Sequence, residues 1–200
     1  VTVYVTISND GVPIRGKDGT ILCHKAITVP YFDLSRYDMP EFYRFHTANG
    51  EGEYVDENIV ERPTGLHLYL YLLERYFIGL PEEECGKGKY TRSDLEGFIL
   101  RDDVLYMDEE PAYTADTLAA LKITGSPTSL YMANFWGHDE NLMYYRNHCY
   151  PYMSPGWGST SDYILLSNGD TWDVAMYSNW SFWSSGGAFT CFDQDEYSVR

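Results

Sequence analysis

The chain has 200 residues, enough for one large domain or two small ones with a substantial core. Its hydrophobic content of 44% and aromatic content of 16% exclude a disordered chain. The formal net charge of −16 would repel phosphate backbones and anionic bilayers, so we expect neither nucleic acid nor a membrane as partner. No apolar run approaches the roughly 20 residues that a membrane-spanning helix needs.

The N-terminal part predicts two strands and an irregular stretch. Residues 1–8 alternate apolar and polar side chains, the period of a half-buried strand, and the Asn-Asp-Gly sequence at 9–11 predicts a turn. Residues 21–29 are apolar enough for a second strand, which Pro30 ends. Residues 31–60 carry many aromatic residues without a clear period, so we interpret them as an irregular insertion with room for a short helix.

Residues 62–79 give the clearest helix signal. Pro63 suits a first turn, Thr64 can cap the helix, and Gly79 followed by Pro81 stops it. A wide apolar face, which predicts packing across a sheet, contains Leu66, Leu70, Leu73 and Phe77. The side chains expected nearer the rim of that face are His67, Glu74 and Arg75.

Residues 80–120 predict a second insertion. Acidic residues are concentrated here, Gly86 and Gly88 are expected to loosen the chain, and residues 116–121 predict a short helix. From residue 126 onward the pattern favours strands, with one over 130–136 and another over 142–150.

The clearest hairpin signal lies near the C-terminus. Residues 162–166 and 171–177 both read as strands, and Asn168-Gly169 between them favours a tight turn with positive φ at both central positions. The sequence therefore predicts that these two strands pair with each other.

The four cysteines (Cys23, Cys85, Cys149 and Cys191) lie far apart and match neither a zinc knuckle nor a redox pair. Two disulfides in any of three pairings and four buried free thiols both remain open. The chain opens without a methionine or an export signal. We expect an excised module of a larger protein, and a mature protein after processing fits equally well.

Two short motifs carry a family resemblance. A strand with adjacent aromatic residues followed by asparagine contains Tyr144, Tyr145 and Asn147. A leucine, a Gly-Asp turn and an aromatic strand residue follow later, as Leu166, Gly169, Asp170 and Trp172. Together they resemble the DUF4430 family, which is similar to the C-terminal domain of transcobalamin and intrinsic factor. Members usually have a glycine soon after the asparagine, where this chain has His148.

The resemblance implies a single α+β domain over residues 1–200. Its fold would be β-grasp-like, a mixed sheet packed by one long helix, with irregular insertions at about 31–60 and 80–120. The chain also resembles modules of large multidomain surface proteins from gut Firmicutes, some of which bind host immunoglobulins. This implies an extracellular module, attached to the cell wall through its parent protein and flanked by neighbouring domains. The insertions have no counterpart in the family, so cobalamin binding is not carried over.

The C-terminal region is rich in aromatic residues, and all five tryptophans fall between residues 136 and 183. Tyrosine and tryptophan dominate protein–protein hot spots, and they also stack on sugar rings. We expect Trp172 and Tyr163 to fill the core. The residues expected to form a binding surface are Trp136, His138, Tyr150, Tyr152, Trp157, Trp180 and Trp183.

No catalytic, metal or cofactor site is predicted. The adjacent residues His138, Asp139 and Glu140 rarely converge on one ion from a turn. His148 and Cys149 would point to opposite faces of a strand, so they cannot form a catalytic pair. Three functions remain: binding of a host protein such as an immunoglobulin, binding of a glycan or a small molecule of the cobalamin type, and a structural spacer.

Overall fold

The computed structural model describes the backbone of residues 1–9, 11–39, 46–48, 54–59, 62–101, 104–107, 118–119, 121–126, 129–136, 142–148, 150–152, 165–176 and 192–194. Side chains are described in residues 1–9, 11–39, 62–95, 135–136, 144–148 and 165–176.

The described strands are β1 (Thr2–Asn9), β2 (Val12–Pro13), β3 (Lys25–Thr28), β4 (His46–Ala48), β5 (Tyr54–Ile59), β6 (Phe98–Arg101), β7 (Val104–Met107), β8 (Leu118–Ala119), β9 (Leu121–Ser126), β10 (Ser129–Phe135), β11 (Leu142–Arg146), β12 (Tyr150–Tyr152), β13 (Thr171–Met176) and β14 (Phe192–Gln194). The helices are α1 (Gly65–Leu72), which continues as a π-helical segment over Leu73–Ile78, and α2 (Arg92–Gly97). Short 3-10 helices cover Leu34–Tyr37 and Glu82–Glu84.

A mixed sheet of five strands and one helix of 14 residues form the centre of the protein, as the sequence predicts. The strand order is β11-β13-β1, and β2 and β3 share the far edge of β1. β1 and β13 are parallel, whereas the other pairs are antiparallel. Smaller sheets join β4 to β5, β9 to β10, β12 to β14, and β6 to both β7 and β8.

The alternation predicted for the first strand is confirmed in β1. Val3, Val5 and Ile7 are completely buried under the helix layer, whereas Tyr4 between them is exposed. The second predicted strand is shorter than 21–29, because β3 covers only Lys25–Thr28 and Ile21 makes an isolated bridge to Arg15.

The predicted long helix is confirmed, with Thr64 as its N-cap and Pro63 just before the cap. Gly79 ends it with a φ of +88°, and its N–H donates to the carbonyl oxygen of Glu74 over 3.1 Å. Positive φ is accessible to glycine at little cost, which is why the helix stops at this residue.

The expected position of His67 and Glu74 at the rim of the helix is wrong, because both side chains are completely buried. Tyr69 faces the sheet and contacts the ring of Trp172. His67 lies about 200° from Tyr69 around the helix, and Glu74 lies two turns after His67. Both therefore face away from the sheet, where residues 31–39 and 80–90 pack against them. Apolar and polar sides of the helix are thus both enclosed.

The second insertion is more ordered than the sequence predicts. Gly86 and Gly88 have positive φ and lie against Phe32 and Arg36, so they hold the two insertions together and do not loosen the chain. A short helix over 116–121 is also wrong, because β8 and β9 occupy the described part of that range.

The predicted C-terminal hairpin is wrong in its pairing. β13 lies between β1 and β11, so both of its edges are occupied, and Leu165 bridges Thr64 of the helix cap. In the turn before β13 the N–H of Asp170 donates to the carbonyl of Ser167, and only Gly169 has positive φ. The strand predicted over 130–136 is confirmed as β10, whereas the one over 142–150 divides into β11 and β12.

Candidate functional site

The side of the five-stranded sheet away from α1 forms the main candidate surface, which we call the outer face. The strand register puts Thr6, Asp173 and Tyr145 in one row across the sheet. Thr171, Tyr4 and Ala26 form the next row. The described members of the outer face are Thr2, Tyr4, Thr6, Ser8, Ala26, Thr28, Tyr145, Thr171, Asp173 and Ala175.

The outer face differs from the rest of the chain in its charge. Asp173 is the only acidic residue among its described members, although the sequence has 30 acidic residues and a net charge of −16. Its other side chains are hydroxyl, methyl and phenol groups, which hydrogen-bond or pack without a large desolvation penalty. Tyrosine with small hydroxyl residues is also the composition of antibody paratopes, so this face suits contact with another macromolecule.

His24 flanks the outer face beside β3. Its ring stacks on the Tyr4 ring with centroids 4.7 Å apart and planes 10° apart. Its backbone N–H donates to the Oγ1 atom of Thr6 over 3.0 Å, and its φ is +46°. A positive φ is uncommon for residues other than glycine, although histidine tolerates it better than most. The stack keeps Tyr4 upright at the surface, where it is 37% exposed.

His148 flanks the opposite end of the outer face. Asn147 and His148 have φ of +50° and +64°, and they turn the chain after β11. The His148 Nδ1 atom lies 3.1 Å from Asp173 Oδ2, and the side chain is 76% exposed. The resemblance to DUF4430 places a glycine in this stretch. The turn therefore carries a positive φ on histidine, and that histidine presents an imidazole beside the one acid of the outer face.

The residues that carry the family resemblance contact one another. Asp170 accepts hydrogen bonds from Arg146 Nε (3.0 Å), from Asn147 Nδ2 (3.2 Å) and from the backbone N–H of Ser167 (2.9 Å). Arg146 and Asp170 are both buried, so each neutralises a charge that would be costly to bury alone. The Trp172 Nε1 atom donates to the Tyr69 hydroxyl over 3.1 Å. These residues hold the sheet and the helix together, which is a structural role.

A buried polar cluster occupies the other side of the helix. Glu74 Oε1 accepts from the Tyr37 hydroxyl over 2.9 Å, and Oε2 accepts from the Gly86 backbone N–H over 2.8 Å. Burial raises the pKa of the Glu74 carboxyl and also raises the pKa of Tyr37. Burial, helped by the negative charge of Glu74, raises the pKa of the Cys85 thiol to about 12. At neutral pH this thiol stays protonated and is a poor nucleophile.

His67 belongs to the same side of the helix and is neutral at pH 7. Because the backbone N–H of Thr64 donates to its Nδ1 atom over 3.1 Å, the proton resides on Nε2. That atom lies 2.9 Å from the carbonyl oxygen of Phe32. Burial lowers the pKa of His67 to about 4. Both ring nitrogens are occupied by the fold, so this histidine joins the first insertion to the helix cap.

Trp136 does not belong to an exposed binding surface. It is buried, and its ring meets the Phe77 ring with centroids 5.0 Å apart. The expectation that Trp172 fills the core is confirmed, since its side chain is completely buried. Tyr150 and Tyr152 lie in β12, where only the backbone is described. The predicted residues that lie outside the described ranges are His138, Trp157, Tyr163, Trp180 and Trp183.

The sequence prediction missed the outer face, although the polar positions of β1 and β13 were visible. A predicted strand shows which of its residues share a side, but it does not show which strands are neighbours. In the part of the chain that the structure describes, no three His, Cys, Asp or Glu residues lie together as a metal site would require. None of the helices in the described ranges is long and apolar enough to cross a membrane.

Comparison with known protein families, with curated proteins and with solved structures found no match to this chain.

Proposed function

We propose that the chain is a non-catalytic module of a bacterial cell-surface protein that binds a host protein, such as an immunoglobulin, through the outer face. The charge of that face is the observation that carries the proposal. A face with one acid, itself beside a histidine, in a chain of net charge −16 leaves a site where another protein can dock without close like-charge repulsion.

The charge distribution also describes the partner. The acidic residues outside the outer face would repel an acidic protein and attract a basic one at long range. We therefore propose a partner whose contact surface is uncharged at its centre and basic at its rim. Tyr4 would act as an anchor, because its ring is exposed and already ordered by His24, so little side-chain entropy is lost on binding.

We further propose a β-grasp-like fold and membership of the DUF4430 family. Two features support this proposal. The first is the arrangement of two N-terminal strands, one long helix and a returning strand β13 that lies parallel beside β1. The second is the direct hydrogen bond between Asn147 of the first motif and Asp170 of the second. The family likeness also leads us to propose an extracellular location, with cell-wall attachment through neighbouring domains of the parent protein.

A glycan is the second candidate ligand. The stacked pair of Tyr4 and His24 favours it, because exposed aromatic rings bind the apolar faces of sugars. One face of the Tyr4 ring is already covered by His24, which leaves less ring surface for a sugar than an unstacked tyrosine would offer. For this reason we place the host protein first.

Capture from serum and from mucosal secretions, run beside a glycan array, tests the proposal. We expect a host protein to be retained by the parent chain and to bind at least tenfold more weakly to Tyr4→Ser, since aromatic anchors commonly contribute over 1.4 kcal/mol. Ile21→Ser is the matched control, because Ile21 is 50% exposed and outside the outer face.

Three results would count against the proposal. Binding that survives Tyr4→Ser but is lost in Trp157→Ala with Trp180→Ala would move the surface to the C-terminal aromatic residues. Binding of glycans alone would replace the host protein by a sugar. Retention of nothing from either source would favour the spacer.

A further inference from the structure

The strands β12 and β14 bring two distant parts of the chain side by side. They are parallel, and Tyr150 lies opposite Phe192, with Pro151 opposite Asp193 and Tyr152 opposite Gln194. Cys149 comes directly before β12, and Cys191 comes directly before β14. Both cysteines lie outside the described residues, so their relation follows from the register alone. One step back along each strand makes them opposite partners.

We infer that Cys149 and Cys191 are joined by a disulfide bond. Neighbouring strands lie about 4.8 Å apart, and disulfide-bonded residues have Cα atoms about 4.4 to 6.8 Å apart, so opposite positions on paired strands fall within reach. The register selects this pair from the possible combinations of four cysteines, a choice that the spacing of the cysteines along the sequence leaves open.

The two other cysteines are free thiols in different surroundings. Cys23 is exposed, whereas Cys85 is buried and its thiol donates to the carbonyl oxygen of Pro81 over 3.4 Å. Neither is bonded to another cysteine. The chain therefore has one disulfide and two thiols, and not the two disulfides that an even cysteine count suggests.

The bond would form by thiol–disulfide exchange. The thiolate of one cysteine attacks a disulfide oxidant, such as oxidised glutathione, and displaces one of its thiols to give a mixed disulfide. The second cysteine thiolate then attacks the mixed disulfide and releases the other thiol. The two cysteines lose two electrons and two protons in total, and the oxidant is reduced to two thiols. An oxidising compartment outside the cytosol supplies such an oxidant.

The disulfide would close the segment that contains β13 and most of the predicted aromatic surface, including Tyr150, Tyr152, Trp157, Trp180 and Trp183. It is independent of the proposed host-protein binding, because the bond can exist whichever surface binds the partner. Its consequence is mechanical. The aromatic segment returns to its own starting point and cannot separate from the sheet at either end.

Cyanogen bromide mapping of the full chain tests the disulfide. Free thiols are alkylated first, and the protein is then cleaved after its methionines in acid, which suppresses disulfide exchange. Met39, Met143 and Met176 separate the cysteines, because Cys23 lies in 1–39, Cys85 in 40–107, Cys149 after Met143 and Cys191 after Met176. We expect one cross-linked pair of fragments that carries Cys149 and Cys191, two alkylated cysteines at 23 and 85, and separation of the pair by a reductant.

A cross-link to either of the other cysteine fragments, or alkylation of all four cysteines in protein oxidised by glutathione, would overturn the inference. A second measurement does not depend on mapping. Cys149→Ser should lower Tm by about 10 °C, since a cross-link over a loop of this length reduces the entropy of the unfolded chain. Cys23→Ser is the control and should leave Tm unchanged. Equal Tm values for the two variants would contradict the cross-link.

Discussion

His67 and His148 show how differently the two sides of this protein use the same side chain. His67 is completely buried, with both ring nitrogens hydrogen-bonded to the backbone of the fold. His148 is 76% exposed, contacts Asp173 through Nδ1, and has a positive φ. The helix side therefore uses polar groups to join loops, at the expense of their chemistry. The outer face keeps its polar groups accessible and accepts some backbone strain.

The difference suggests a division of labour. The helix, its two insertions and the inner face of the sheet provide stability, whereas the outer face is free to vary in function. Four substitutions test this division, each paired with a neighbour that should behave in the opposite way.

Trp172→Ala should have the largest effect. The ring is completely buried and its Nε1 donates to Tyr69, so its loss leaves a cavity and an unpaired hydroxyl. We expect the free energy of unfolding to fall by about 3 to 5 kcal/mol. The next residue on β13 faces the other way, and Asp173→Ala should lower it by less than about 1 kcal/mol. Urea denaturation measures both values. Similar losses in the two variants would contradict the division between the faces.

His67→Gln should change the pH dependence of stability. The folded pKa of about 4 lies below the model value of 6.5, so the unfolded state binds the proton in that window. The contribution of neutral His67 is complete above pH 6.5 and is lost as the pH falls toward 4. The gap between parent and variant should therefore shrink by up to about 3 kcal/mol over that range.

Glu74→Gln provides the control of opposite sign for that experiment. Burial raises the folded pKa of Glu74, so the folded state keeps its proton at pH values where the unfolded state has lost it. The parent should lose stability relative to this variant as the pH rises above 4.5. Denaturation at several pH values gives both curves, and a gap for His67→Gln that does not change with pH would refute buried neutral His67.

Gly88→Ala should come next. An added Cβ would lie 2.5 Å from the carbonyl oxygen of Arg36, and the φ of +69° is unfavourable for alanine. We expect a loss of about 3 kcal/mol from the combined clash and strain. Gly169→Ala has a similar φ but open space around the new Cβ, so it should lose only about 1 kcal/mol. Thermal unfolding of both variants separates the clash from the backbone term. Equal losses would mean that the two insertions do not depend on this close contact.

The smallest effect is expected at His148, where glycine should be preferred over alanine. Alanine is usually the more stabilising residue, but a φ of +64° reverses the order. We expect His148→Gly to be more stable than His148→Ala by about 1 kcal/mol. Both variants lose the contact with Asp173, so the comparison isolates the backbone. If alanine is the more stable residue, positive φ is not what distinguishes this turn.

Local patterns in the sequence predicted the elements at the centre of the fold. The alternation in 1–8 required only that one side of a strand be buried, and the cap and stop residues of the long helix act within one turn of the chain. The same patterns failed for 162–166, because the Asn-Gly signal at 168–169 describes a turn and not the strand that β13 pairs with. They also missed the outer face, since its members come from four strands that only the sheet brings together.

The sequence by itself therefore determined the strand β1, the helix from 65 to 78 and the acidic character of the chain, because these depend on neighbours along the chain. Only the tertiary structure decided that His67 and Glu74 are buried and that Trp136 lies in the core. It also decided that β13 lies between β1 and β11. Burial of a polar side chain depends on partners that lie far away in sequence. His67 meets Phe32, and Glu74 meets Tyr37 and Gly86, and those partners become neighbours only when the insertions close over the helix.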